Sequence, residues 1–571
     1  MQPDDKSKAG TSADPRIVSQ PSTGCRSRSR SRSSCSPGAR VVGRGADGEY
    51  SNASILEEYE AWLKERGVWW DPRVQLRPPS PAANGQADQA PAYMSGWGFT
   101  CLESVPRGTE IVRVPAAAAL TVDALVDVEP SEGNSGGESE GRCASARVRL
   151  EAAGVPKEFC TFREDVDCQL ALAVALLLAR EGSSWRPKLR PEVTPRQTPL
   201  PWAWPGHSGL EVPPALRGTE LEAPVAAKRQ RLWGEAAKAQ DVLKACRCRF
   251  DDYIEVCAVV MSRVQPWFGG SLVPFVDQAN HAWVRPHVEF RRRGATVVGR
   301  TVRELVSAGE ILQSYGDLST ADSLYRYGFV SAACSSQEIR VRSTDVVTIS
   351  AELLERAAAG ALAAEAVSAP GVGAAPEVKA ATVTLRQCRR PLLQRADLLE
   401  ESPWDGVEDS LGLELSLGPS SGKGKRLGAA FEVGQRRVRG LQKLLLAAQL
   451  LVAPEEDAVA MASALAGPGS GKLPAASASA PTPAAAAVAL AAVRARDALY
   501  PGGALAADEA DFSSTATQRE SMESDGALRR GSLLLRIVER RILAATLQAL
   551  TGRLAAVPDS DAMRDGGERV G

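Results

Sequence analysis

Hydrophobic positions over residues 54–66 (SILEEYEAWLKER) recur at helical spacing, with Ile55, Tyr59, Trp62 and Leu63 on one face. Ser54 and Glu57 predict a capping box at the start of this helix, and Gly67 predicts its stop. From residue 93 to 115 the period changes. Tyr93 to Phe99 (YMSGWGF) predicts a glycine-punctuated hairpin, and Pro106 to Gly108 predicts a turn. Glu110 to Val114 then predicts a strand closed by Pro115. The apolar run Leu170 to Ala179 (LALAVALLLA), which no other run in the chain exceeds, predicts a buried helix; a membrane span needs about 20 such residues. Residues 190–214 are Pro-rich and loop-like, and 217–262 predict mostly helix. Residues 284–330 return to short strands and turns. There Glu310 to Tyr315 predicts a strand with Ile311, Gln313 and Tyr315 on one face.

Beyond residue 350 the pattern is Ala/Leu/Arg-rich. Helices are predicted over 351–365, 435–453 and 531–553, with linkers over 400–428 and 454–487. Residues 1–45 carry an Arg-Ser tract and no hydrophobic periodicity. They are expected to be a disordered tail, with an organelle transit peptide and an RNA-binding or phosphorylated tract as the alternatives.

Composition narrows the function classes. With 68 Lys+Arg against 69 Asp+Glu the net charge is −1, which excludes a globally basic nucleic-acid binder. Eleven cysteines contain no C-x-x-C pair, so the ligand spacing of a structural zinc site is missing. Three histidines (His207, His281, His287) argue against a multi-His metal centre. No metal, membrane or nucleic-acid partner is expected, and the chain is expected to be an intracellular monomer, with plastid stroma, cytoplasm and nucleus left open.

Four segments carry candidate chemistry: Ser95-Gly-Trp-Gly-Phe99; Ser262-Arg263; Pro274 to His281 (PFVDQANH); and Glu310 to Gly316 (EILQSYG), continuing to Tyr327-Gly-Phe-Val330. Taken alone, each has a bland explanation. Gly96 and Gly98 permit close backbone approach to a ligand, but they also make a tight hairpin. Asp277, Asn280 and His281 fit a loop with satisfied polar side chains. Tyr315 fits a core or rim position, and Arg263 a surface charge at a helix end.

Their order and spacing resemble the SET-domain protein methyltransferases, in the Rubisco large-subunit methyltransferase-like branch. There a Gly-x-Gly hairpin is followed by a helical insert ending in Ser-Arg, then P-x-x-D-x-x-N-H, E-x-x-x-x-Y-G and Y-G-F. All stand here in that order. Trp62-Leu63 with Gly67, Trp185-x-Pro187 with Leu200-Pro201, and Leu216-x-Gly-Thr219 agree. The resemblance covers about residues 54–332, and Arg536 to Leu543 looks like the branch's closing helix. It departs at Ser319-Thr320, where Ser-Asn is usual after Tyr-Gly-x-x, at Ser323, where a Leu is usual, and at Gln278, where an apolar residue is usual.

The resemblance implies an α+β fold, with a SET-type β-fold of short strands, a helical insert and an all-α C-terminal domain. It implies a tail over 1–50, a SET domain over 51–335 with its insert over about 150–265, a substrate-binding-like domain over 345–556, and a tail over 557–571. It implies transfer of a methyl group from S-adenosylmethionine to a lysine of a non-histone protein. A histidine acceptor and an inactive scaffold are the alternatives. Tyr315 is then catalytic. Ser95, Gly96, Trp97, Arg263, Asp277, Asn280, His281, Tyr327, Gly328 and Phe329 are cofactor-binding. Gln265 is noted because lysine-directed relatives often carry an aromatic there and a histidine-directed one a polar residue.

Overall fold

Tyr59, Trp62 and Leu63 are buried along one side of the helix Asn52–Glu65, as their spacing requires. The helix ends where Gly67 turns into the left-handed region, at φ 71°. It begins at Asn52, so Ser54 lies inside its first turn and is not the cap. The structure is a computed structural model and describes residues 52–77, 97–121, 187–189, 200–204, 211–238, 250–282, 285–307, 309–330, 339, 341–368, 378–399, 412–419, 431–433, 436–466, 481–517 and 524–556. The expectations for 1–45, for Tyr93 to Gly96 and for the apolar run 170–179 lie outside these residues.

Short strands carry the first half: β1 (Trp69–Trp70), β2 (Val74–Arg77), β3 (Gly98–Cys101), β4 (Glu110–Pro115), β5 (Val288–Arg293) and β6 (Thr296–Thr301). β2 pairs with β3, and the others form an antiparallel sheet in the order β1-β4-β6-β5. Val112 and Val114 of β4 and Val297 of β6 turn one face of that sheet into the core. The helices Glu222–Lys238 and Phe250–Arg263 come between β4 and β5 in the chain. The second buries Tyr253, Val256, Cys257 and Val260 at helical spacing.

The second half is mainly helical, with helices Ala351–Ser368, Val378–Arg395, Leu441–Val452, Glu455–Leu465, Pro483–Asp497, Leu505–Thr517 and Ser524–Ala556. It also holds a sheet that an all-α expectation does not include: β7 (Val346–Ser350), β8 (Gly412–Pro419), β9 (Phe431–Val433) and β10 (Arg436–Arg439), antiparallel in the order β7-β8-β10-β9. β8 falls within the expected linker 400–428. Its signal is the alternation of buried Leu413, Leu415 and Leu417, which Gly, Ser and Pro on both sides obscure. β10 occupies the start of the helix expected over 435–453, and Gly440 at φ 80° separates it from the helix beginning at Leu441. Residues 454–487 are likewise not all linker. Three acidic residues open the helix Glu455–Leu465, and the Thr482 hydroxyl accepts from Ala485 N to cap the next helix.

The long helix Ser524–Ala556 ties the halves together. Its 33 residues make it about 50 Å long. Leu528, Leu533, Ile537 and Val538 enter one hydrophobic core with Leu324, Val330 and the first-half strands. Ile542, Leu543 and Leu550 enter a second core with β7, β8 and the C-terminal helices. Among the described residues no helix is long and apolar enough to cross a membrane.

A buried polar clamp lies on the same seam. Arg496 donates to Gly218 O (2.6 Å), Thr348 O (3.2 Å) and Glu220 Oε1 (3.1 Å). Glu220 accepts from Thr348 N (2.8 Å) and Oγ1 (2.9 Å). Glu539 accepts from Glu220 N (3.0 Å) and Tyr500 Oη (2.8 Å). Burial pushes the Glu539 carboxyl up to about 8, with Arg496 opposing. Arg496→Met leaves the Glu220 and Glu539 carboxyls without their shared cation and is expected to cost about 3–5 kcal/mol in urea unfolding. A cost below about 1 kcal/mol, the range of exposed pairs, would show that the clamp is not a stabilising element.

Candidate active site

The site is built on a strained turn. Phe275 takes φ 69°, a left-handed conformation rare outside glycine. Two contacts hold it there. Its N–H donates to Gln278 Oε1 (2.6 Å), and its ring stacks on Phe99 with centroids 4.7 Å apart and planes within 1°. Gln278 is therefore polar for a local reason, since it closes this turn.

The turn delivers Ala279, Asn280 and His281 against residues 310–315. That segment makes isolated bridges and not the continuous strand expected, because it is shared between two neighbours. Ile311 N donates to Phe99 O (2.9 Å) on one side; on the other, Gln313 N donates to Asn280 O (2.8 Å) and Ala282 N to Gln313 O (2.7 Å). The alternation itself holds, with Ile311 and Gln313 buried and Ser314 exposed. The buried Gln313 amide donates to Val276 O (2.7 Å) and Ala279 O (3.1 Å).

Tyr315 is fixed at both ends. Its N–H donates to His281 Nδ1 (3.0 Å), and its phenol donates to Ala279 O (2.8 Å). Three rings surround it, with centroids at 4.7 Å for Tyr327, 5.1 Å for His281 and 6.2 Å for Phe329. The helix Thr320–Tyr327 brings Tyr327 and Phe329 to it. Ser319 caps it in a reciprocal box with Asp322, buried Ser323 donates to Ser319 O (2.6 Å), and Gly328 ends it at φ 74°. Ser323, a departure from the expected pattern, is thus explained by the helix start.

Burial pushes the Tyr315 phenol above its ordinary value; Arg263 opposes the rise, while Tyr327, Asp277 and Glu310 add to it. The phenol stays neutral at physiological pH, so it can align a partner but is no base. Burial, with the Arg342 charge adding, holds His281 down at about 4. Its neutral ring accepts at Nδ1 and carries its proton at Nε2.

The other expected site residues are placed as follows. Asn280 Nδ2 donates to Glu310 Oε1 (2.6 Å), and Arg77 lies 3.6 Å from the same oxygen. A Cβ on Gly98 would stand 3.0 Å from that oxygen and 3.3 Å from Asn280 Nδ2, so a larger residue there would press on this pair. Asp277 forms an ion pair with Lys188 (2.9 Å), both side chains fully buried. Arg263 ends the helix Phe250–Arg263, half-buried, and donates to Ser262 Oγ (2.8 Å). Gln265 Nε2 donates to Arg263 O (3.1 Å). Trp97 is buried, and Ser95 and Gly96 lie outside the described residues. Among the described residues no His, Cys, Asp or Glu cluster could hold a metal ion.

Arg263 meets the Ser262 hydroxyl and no carboxylate among the described residues, and the buried Trp97 Nε1 has no hydrogen-bond partner among them. A half-buried guanidinium beside a neutral phenol suits an anionic ligand group. Sequence reasoning did not single out Gln313, Glu310 or Lys188 as site-forming residues. The first two lie inside a quoted motif, whereas Lys188 is a lone lysine with no periodic signal.

No protein-family model matches the chain, and no curated protein matches its sequence. Solved structures match by shape. One of Rubisco LSMT bound to sinefungin and monomethyllysine aligns with TM-score 0.51 and 15% identity, over 87% of this chain and 92% of that one. One of the LSMT SET domain bound to lysine and AdoHcy gives 0.51 and 15% over 90% and 97%. One of Rubisco LSMT bound to AdoMet gives 0.51 and 14% over 90% and 97%. The chain therefore has the SET-type fold, and the likeness extends through the C-terminal half.

His287 braces the same segment as His281. Its Nδ1 accepts from Leu312 N (3.0 Å), its Nε2 meets Arg303, and burial with the Arg303 charge holds it at about 4. A histidine held below its ordinary 6.5 gains a proton on unfolding. Its stabilising contribution is full above pH 6.5 and is lost as pH falls through about 4. The melting temperature is expected to drop over that window, and to drop less in His287→Gln, which keeps an acceptor but cannot titrate. Parallel curves for the two proteins would refute this role.

Proposed function

We propose that this chain is an S-adenosylmethionine-dependent protein methyltransferase, with a lysine side chain of a non-histone protein as acceptor. One observation carries the reading: the neutral Tyr315 phenol is fixed by Ala279 and His281 inside a ring of aromatics, with the half-buried Arg263 within electrostatic reach. The solved structures of the same fold bound to AdoMet, AdoHcy, lysine or monomethyllysine support it.

When bound, S-adenosylmethionine supplies a sulfonium-activated methyl group. The residues present fit it. Arg263 takes the carboxylate, and Trp97, Asn280 and His281 supply the surrounding polar and backbone contacts, with Gly98 allowing close approach. Tyr327 and Phe329 stand against the Tyr315 ring, where they would help wall the pocket. Because the Tyr315 hydroxyl hydrogen is already given to Ala279 O, the phenol oxygen is left to accept. It can hold an amine N–H and so aim the nitrogen lone pair. A lysine arrives protonated, with an ordinary pKa of roughly 10.4. The aromatic lining removes water from it and favours the neutral form, and the proton leaves to solvent before attack.

Gln265 supports a second reading, a histidine acceptor, since a polar side chain stands where lysine-directed relatives often carry an aromatic.

Labelled S-adenosylmethionine with a proteome lacking this chain, followed by mass spectrometry of the modified residue, tests both readings. Methyl-lysine is expected, methyl-histidine selects the second reading, and no transfer leaves an inactive scaffold. Tyr315→Phe is expected to lower turnover by roughly 10²–10³ with cofactor affinity kept. Arg263→Ala and Asn280→Ala are expected to weaken cofactor binding in calorimetry, and wild-type affinity in both would remove them from the site.

A further inference from the structure

Lys188 and Asp277 form an ion pair 2.9 Å long in which neither side chain is exposed to solvent. Such a pair is costly to desolvate and seldom outperforms well-packed apolar residues in stability. What it supplies is direction, because Asp277 must sit where the lysine is. Asp277 lies inside the strained turn of Phe275, where its N–H donates to Val273 O (3.0 Å) and Gln278 closes the loop. The next residues are Ala279, whose carbonyl holds the Tyr315 phenol, and then Asn280 and His281. Lys188 arrives from a distant part of the chain, 89 residues earlier, anchored beside the fully buried Leu189.

We propose that Lys188 is a positioning residue for methyl transfer: through Asp277 it fixes the Ala279 carbonyl and the His281 ring that orient Tyr315. The kinetic part rests on the methyltransferase reading above; the conformational part does not.

The double variant Lys188→Met/Asp277→Leu replaces the pair by apolar side chains of similar size and separates positioning from stability. It is expected to melt within a few degrees of wild type and to turn over about 10-fold to 100-fold more slowly at saturating cofactor. In hydrogen–deuterium exchange, amides of 310–316 are expected to exchange faster, with the protection of 441–452 and 524–556 unchanged. Wild-type turnover and wild-type exchange over 310–316 would overturn the proposal, since they show that packing alone sets the geometry. Should the double variant not fold, Asp277→Asn keeps the side-chain volume and is read by the same two measurements. If the wild-type protein transfers no methyl group, the proposed function fails, and the exchange result still decides whether Lys188 positions the Tyr315 segment.

Discussion

The structure depends on the mutual grip of two chain segments, 279–282 and 313–315. Each supplies what the other lacks. Asn280 O and Gln313 O take backbone N–H groups across the crossing, His281 takes the Tyr315 N–H, and Ala279 takes the Tyr315 hydroxyl. A single such bond is worth about 1 kcal/mol net, but a buried donor left unmade costs more. The arrangement is therefore close to all-or-none: moving one segment strands several polar groups of the other. This makes the phenol's place a property of the backbone as much as of its own side chain.

Around that crossing the polar residues act locally and the apolar ones at long range. Gln278, Ser319 and Ser323 each satisfy a backbone group within four residues. The rings of Phe99 and Phe275, by contrast, join the β2–β3 strand pair to the turn. The long helix 524–556 extends the support, packing Gly531 against Leu324 of the helix that carries Tyr327. The C-terminal half thus braces the site helix directly, while the Arg496–Glu220–Glu539 clamp fixes the seam between the two cores.

Much of this was legible in the sequence, for identifiable reasons. The helix at 52–65, the strand at 110–115 and the helix at 441–452 follow from periodicity that burial enforces. Motif order brought Tyr315, His281, Tyr327 and Phe329 together because glycine and proline fix the turns between them. β8 and β10 were hidden, because sheet pairing selects short segments whose local composition resembles a linker. Lys188 was hidden for a different reason, since a buried ion pair between remote residues leaves no local pattern. The continuous strand expected over 310–315 was wrong in kind, because alternation reports which side chains are buried and not how many partners a backbone has.

Tyr315, Arg263 and the Asn280–His281 pair are proposed to surround one cofactor. A crystal structure with S-adenosylhomocysteine tests it most directly. The ligand carboxylate is expected on Arg263 and its sulfur facing the Tyr315 ring, with the phenol still bonded to Ala279 O. Ligand bound elsewhere, or bound with Arg263 turned to solvent and Tyr315 out of reach of the sulfur, would contradict it.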